Sequence, residues 1–208
     1  MRDVFALEPN FWSLLLMAPA GVSFWLAVET SRRRYGRLGN SLSALMLAIG
    51  WWSLTYGFEL ANVTEAGMRF WLKVEYLAIP FVPLLMYWVI RRFLGMNELP
   101  VAVILLLWAV PVTTFFLQIT NEGHFLFYKS IGFFEDRYGA RLSLEPGIWY
   151  WIDAAYAYFL AVLAVVHLVQ RFPPKEYKTL RSQFVFLLVA VSGPYMGFTL
   201  YAFGWFPV

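Results

Sequence analysis

Six apolar runs, separated by short polar stretches, divide the chain. A helix needs about 20 mostly apolar residues to cross a bilayer. Each run meets that length: residues 11–29, 41–61, 68–90, 101–119, 148–169 and 183–206. The pattern predicts an all-α polytopic helix bundle of six transmembrane helices, with residues 1–208 forming a single domain. Pro80 and Pro83 fall inside the third run, Pro111 inside the fourth and Gly193-Pro194 inside the sixth. Proline removes a backbone donor, so kinks are expected at these points.

Composition agrees with the pattern. The chain is 61% hydrophobic and 14% charged, against about 45–50% and about 25% for soluble domains. The first run is too long for a cleaved signal peptide and lacks a basic leader. The absence of cysteine excludes disulfides, thiolate metal sites and thiol nucleophiles. Two histidines are too few for a di-haem cytochrome. The net charge of +3 is read as a topology signal, and no nucleic-acid partner is expected.

That signal orients the chain. Arg32, Arg33, Arg34 and Arg37 follow the first run. Arg91 and Arg92 follow the third, and Arg171, Lys175, Lys178 and Arg181 follow the fifth. These alternate loops hold ten of the sixteen basic residues. Basic loops stay in the cytoplasm, so both termini are expected outside. The longest loop, 122–147, is then external. The alternation in Arg141-Leu142-Ser143-Leu144 fits a hairpin over Gly132–Leu144, and a lid over the helix ends fits as well.

Polar groups inside apolar runs carry the functional information. At about 1.5 Å rise per residue, Glu59, Arg69, Lys73, Glu75, Gln118, Asn121, His124 and Asp153 share one depth, the outer leaflet. Two readings fit. In one, Glu59, Glu75 and Asp153 line an outward-facing ligand pocket walled by Trp71, Tyr76, Trp149, Trp151 and Tyr156. In the other, Arg69 and Lys73 pair with those carboxylates and fix helix register. Trp71, Glu75 and Ile79 are four apart and share a helix face. His167, about 21 Å from Asp153 along its helix, reads as a hydrogen-bonded interface histidine.

No nucleophile elbow, zinc-hydrolase motif or phosphate loop is present. Lys73 is too near a helix end for a buried Schiff base. Neither catalytic residues, a metal site nor a cofactor are expected, and the chain is not read as an enzyme.

Trp71-Leu-Lys-Val-Glu75-Tyr76-Leu-Ala-Ile79-Pro80-Phe81-Val-Pro83 resembles the signature of the seven-transmembrane N-terminal sensor region of bacterial histidine kinases. Three further stretches agree in order. These are Thr120-Asn121-Glu-Gly-His124, then Pro146-Gly147-Ile-Trp149-Tyr-Trp151 with Tyr156 and Tyr158, then Arg181-Ser-Gln183 with Gly193-Pro194. The resemblance implies a multi-pass sensory module of the bacterial inner membrane. In such proteins it precedes a PAS, histidine kinase or diguanylate cyclase output. It points to Glu75, Tyr76, Asn121, His124, Trp151 and Tyr156 as functional positions. Two features depart from it. The given residues hold no seventh run, and Phe198 stands near the family's usual asparagine.

The resulting expectation is a membrane sensor that takes a small ligand from outside. Its ligand-binding residues are Glu59, Trp71, Glu75, Tyr76, Asn121, His124, Trp151, Asp153 and Tyr156. Its partners are the lipid bilayer and either a cytoplasmic output domain or a membrane protein. The alternatives are an accessory subunit of a larger membrane complex and, less well fitted, a small transporter.

Overall fold

The computed structural model describes residues 6–33, 36–136 and 139–202. Seven α-helices and one β-hairpin make up these residues: α1 (Phe11–Arg32), α2 (Gly36–Ala61), α3 (Glu65–Glu75), α4 (Val82–Phe93), α5 (Val101–Ile119), β1 (Tyr128–Asp136), β2 (Gly139–Pro146), α6 (Ile148–Gln170) and α7 (Lys178–Ala202). The expected positions of the termini, the hairpin tip at 137–138, Arg34 and the side chain of Phe198 lie outside the described residues.

α1 starts at a reciprocal cap. Asn10 Oδ1 accepts from the Ser13 amide and Ser13 Oγ accepts from the Asn10 amide, both at 2.9 Å. α1 and α2 then run antiparallel at close range. Ser43 and Ser53 donate to the carbonyls of Ala27 and Leu16, at 2.8 and 2.5 Å. Small residues permit the approach: Ser13, Ala20, Ser23 and Ala27 on α1 meet a face of α2 carrying Gly50 and Gly57. This is how membrane helices pack without a hydrophobic drive between them.

The third apolar run is not one kinked helix. α3 ends at Glu75, a turn and a 3₁₀ segment (Ile79–Phe81) follow, and α4 restarts at Val82. Pro80 and Pro83 disfavour helix at the residues before them and remove two donors. At the break the Val74 carbonyl accepts the Leu77 amide at 3.3 Å and the Trp51 indole N–H of α2 at 2.9 Å. Gly95, just past the Leu94 cap of α4, turns the chain with a φ of 60° that suits glycine. The Met96 and Gly95 amides close back on Arg91 and Arg92 carbonyls, at 3.0 and 3.1 Å.

Among the described residues, four helices are long and apolar enough to cross a membrane: α1, α3–α4 taken across the break, α5 and α6. α2 is as long, at 26 residues, but more polar, and α7, at 25 residues, carries no charged residue from 183 to 202. α2 is packed by α1, α3 and α4, so less of its surface has to be apolar. One core joins α4, α6 and α7 through Leu84, Tyr87, Ile90, Leu160, Ala164, Leu168, Phe184 and Val191. His167 borders it, and its ring stacks on Tyr87 at 6.0 Å between centroids. Its buried Nδ1 has no partner among the described residues.

The all-α expectation needs one addition. β1 and β2 pair antiparallel, with Ile131 opposite Leu144 and Phe133 opposite Leu142. The hairpin is longer than the Gly132–Leu144 segment read from alternation, because its base is clamped by buried contacts. It caps one end of the bundle through Leu72, Tyr76, Phe127 and Tyr128. Gly147 joins it to α6. A Cβ there would lie 2.3 Å from the Leu126 carbonyl oxygen, so only glycine permits this approach.

Candidate functional site

The hairpin end collects the polar side chains. Glu59, in the last turn of α2, is 5% exposed, and Glu75, the last residue of α3, is 3% exposed. Their carboxyl groups are in side-chain hydrogen-bond contact. Glu59 Oε2 and Glu75 Oε1 are buried and take no hydrogen bond from any other group of the described residues. Asn62 Nδ2, Trp71 Nε1 and Gln118 Oε1 are unpartnered as well. Five of the six such atoms among the described residues therefore belong to this end. Unsatisfied buried polar atoms are rare in folded proteins and call for a reason.

The basic residues of α3 do not supply that reason. Arg69 pairs with Glu65 at 2.7 Å and donates to the Ile131 carbonyl of β1. Lys73 pairs with Glu122 at 2.8 Å. Both cations turn outward and tie the hairpin and its base to α3. The expected pairing of Arg69 and Lys73 with Glu59, Glu75 or Asp153 is thereby corrected. The Glu122 carboxyl, outside the apolar runs, is held below its ordinary value by the Lys73 hydrogen bond and charge.

Beside the acid pair lies a phenol pair. The Tyr76 and Tyr128 hydroxyls bond at 2.7 Å, and both residues are buried. Burial pushes the Tyr128 phenol above its ordinary value. Tyr150 and the two glutamates add to the rise, while the Tyr76 bond opposes it. Asn121 sets this tyrosine in place. Its Oδ1 accepts from the Phe127 and Tyr128 amides at 2.9 and 3.0 Å, and its Nδ2 donates to the Tyr128 carbonyl at 2.9 Å.

Asp153 forms the third element. Thr114 Oγ1, fully buried on α5, donates to Asp153 Oδ1 and accepts from Trp149 Nε1, each at 2.9 Å. Tyr156, one turn further along α6, donates to the Leu107 carbonyl at 2.7 Å. Asp153 acts electrostatically on both Tyr76 and Tyr156. The carboxyls, phenols and threonine thus join α2, α3, α5, α6 and β1 in one polar layer.

Among the sequence-predicted residues, Glu59, Glu75, Tyr76, Asn121 and Asp153 meet in this layer, with Tyr156 at its edge. The Trp71 ring stacks on Phe58, with centroids 4.7 Å apart. Trp151 is 55% exposed and faces away. His124 locks its own turn, with Nε2 on Thr120 Oγ1 and Nδ1 on the Leu126 amide, both at 3.1 Å. Thr114 and Tyr128 were missed. Thr114 carried a signal, being a hydroxyl one turn before Gln118 in an apolar run. Tyr128 was one loop aromatic among several. An open apolar groove of about 390 Å³ lies elsewhere, between α6 and α7. Among the described residues, no group of three His, Asp or Glu side chains is placed to hold a metal ion.

Residues 13–208 match the family described as the N-terminal 7TM region of histidine kinase. The chain belongs to that family and is a multi-pass membrane sensor region. No curated protein and no solved structure matches it.

Proposed function

We propose that this chain is the input half of a signalling pathway of the bacterial cytoplasmic membrane. It is one helical domain that crosses the bilayer six times, with the N-terminus and hairpin outside. It passes a signal from the outer leaflet to a kinase output, either covalently attached or held by a membrane partner. The ligand site in this reading is the polar layer: Glu59, Glu75, Tyr76 and Asp153 beneath the hairpin, with Trp71, Asn121 and Tyr156 at its margins. His124 holds the turn that leads into the hairpin, and Trp151 stays outside the site.

The acid pair carries the reading. Two buried carboxyls without a cation cost stability, and a purely structural layer would replace them with apolar groups. The charge distribution supports the orientation. Arg37, Arg91, Arg92 and Arg171 gather at the opposite end, where Glu98 bonds both Arg37 and Arg92, and basic residues favour the cytoplasmic side.

The test measures phosphate transfer by the kinase in cells making the natural protein with Glu75→Gln or Asp153→Asn. Either change is expected to alter the output while the fold persists. An unchanged output in both overturns the site and favours a scaffold role. Because the chain has no cysteine, Ser143→Cys and Lys175→Cys report sidedness cleanly. An impermeant maleimide that labels Lys175→Cys and not Ser143→Cys in intact cells overturns the orientation.

A further inference from the structure

The acid pair sits where two parts of the bundle meet. Glu59 belongs to α2, which runs unbroken from the basic end to the hairpin end. Glu75 is the last residue before the break between α3 and α4, and Trp51 of α2 holds the Val74 carbonyl at that break. At the opposite end, Glu98 joins Arg37 at the start of α2 to Arg92 at the end of α4. α2 and the broken helix are therefore tied at both ends, with a hinge between.

The tie at the hairpin end depends on a proton. A hydrogen bond between two carboxyl groups needs a hydrogen on one of them, and two carboxylates in contact repel. Neighbouring cations do not relieve that repulsion, since Arg69 and Lys73 are engaged by Glu65, the Ile131 carbonyl and Glu122. The other groups around the pair are acidic or neutral. Tyr128 of β1 interacts with both glutamates. Tyr76, the residue after α3, with Tyr150 and Asp153 of α6, surrounds that tyrosine. Glu8, in the segment before α1, bonds through its amide to the Ala61 carbonyl of α2. The C-terminal end of α3 adds the negative pole of its dipole beside Glu75.

An unused donor stands next to the pair. Trp71 precedes Glu75 by one turn on the same face, and helix side chains lean toward the preceding turn. Its ring lies on Phe58, the neighbour of Glu59. Its buried Nε1–H has no acceptor, although an indole donor in an apolar setting ordinarily finds one. A carboxylate released from the pair has this N–H within its own helix turn.

We propose that the Glu59–Glu75 contact is a proton-held latch between α2 and the hinged helix α3–α4. It rests on the reading of this chain as a sensor with its hairpin end outside. In the closed state one carboxyl O–H donates to the other carboxyl, and Trp71 is idle. When that O–H bond loses its proton to external water, the carboxyls separate and Glu75 accepts the Trp71 N–H. The hinge at residues 76–81 takes up the displacement, and α4 carries it to the Arg92–Glu98–Arg37 tie. No electrons move and no other reactant is needed.

The test is infrared difference spectroscopy of the whole chain in lipid vesicles, titrated from about pH 4 to about pH 9, a range covering free and buried carboxyls. A protonated-carboxyl C=O band is expected to disappear as pH rises. Its midpoint should fall in Glu59→Gln and in Glu75→Gln, where an amide replaces one carboxyl, the band should vanish when both are replaced, and Asp153→Asn should keep it. Trp71→Phe removes the waiting donor and should move the midpoint up by about 1–2 pH units, the worth of a hydrogen bond to a charged group. The latch is overturned if no titrating band depends on both glutamates, or if Trp71→Phe leaves the midpoint in place. Kinase output separates the two proposals. A titrating band with output indifferent to external pH keeps the latch and refutes the sensor reading of this site. Output altered by Glu75→Gln with no titrating band refutes the latch alone.

Discussion

Replacing Asn121 with alanine tests whether one side chain holds the hairpin over the bundle. The residue is 4% exposed and makes three hydrogen bonds to the backbone of Phe127 and Tyr128, at 2.9, 2.9 and 3.0 Å. Alanine leaves two amides and one carbonyl without these partners in a buried place. Each orphaned group costs about 1–3 kcal/mol, and a charge-free bond contributes about 1 kcal/mol net. Water admitted at the base of the hairpin recovers part of the loss, so about 3 kcal/mol of local stability is expected to go. Each 1.4 kcal/mol is tenfold, which makes opening of this segment about 100-fold more frequent. Hydrogen exchange read by mass spectrometry on peptides covering 124–130 measures it directly. Exchange should accelerate there and across β1 while the middle of α5 keeps its protection. Asn121→Asp keeps the acceptor for both amides and loses only the donor, so it should cost about tenfold. Acceleration of less than about threefold in the alanine variant would refute the clamp.

Two further predictions concern glycine and charge. Gly147→Ala places a Cβ 2.3 Å from the Leu126 carbonyl oxygen and should lower the melting temperature or abolish folding in detergent. Gly21→Ala meets nothing within 4 Å and should stabilise α1 by up to about 1 kcal/mol; a neutral Gly147→Ala would refute the packing at the start of α6. The Lys73–Glu122 tie is exposed, so Lys73→Met should cost no more than about 1 kcal/mol. Its pH dependence has a definite sign. Glu122 is held below its ordinary 4.5 by Lys73, so the contribution is complete above that value and fades as pH falls through the lower, folded-state value. Melting curves of Lys73→Met and the parent should converge in acid and differ at neutral pH. A gap that widens in acid would contradict the assignment.

Much of the fold was legible because membrane helices announce themselves locally. The fourth apolar run coincides with α5, and the fifth differs from α6 by one residue. The hairpin strands showed their alternation only over 141–144, since the rest of β1 and β2 is stabilised by contacts with Leu72, Tyr76 and Trp149 that no periodicity encodes. The third run was read as a continuous kinked helix. Its prolines marked the place, but not the partner at the break: the Val74 carbonyl accepts the Leu77 amide and the indole N–H of Trp51, 23 residues earlier.

The candidate site divides in the same way. Depth follows from counting along each helix, so Glu59, Glu75, Asn121 and Asp153 could be placed at one level from the sequence. Counting does not say how each helix is rotated about its axis. That rotation turns Trp151 outward, brings Thr114 to Asp153, and sets Tyr128 against Tyr76.

The sequence by itself determined membrane residence, family membership and the end of the bundle where acids gather, because all three rest on composition and local spacing. The tertiary structure alone decided partners. Arg69 and Lys73 share a level with two buried carboxyls and the half-buried Asp153, and either could have neutralised one. The hairpin folding back over α3 offers Glu122 and the Ile131 carbonyl instead, where long basic side chains stay partly solvated at less cost. That choice leaves Glu59 and Glu75 facing each other without a cation.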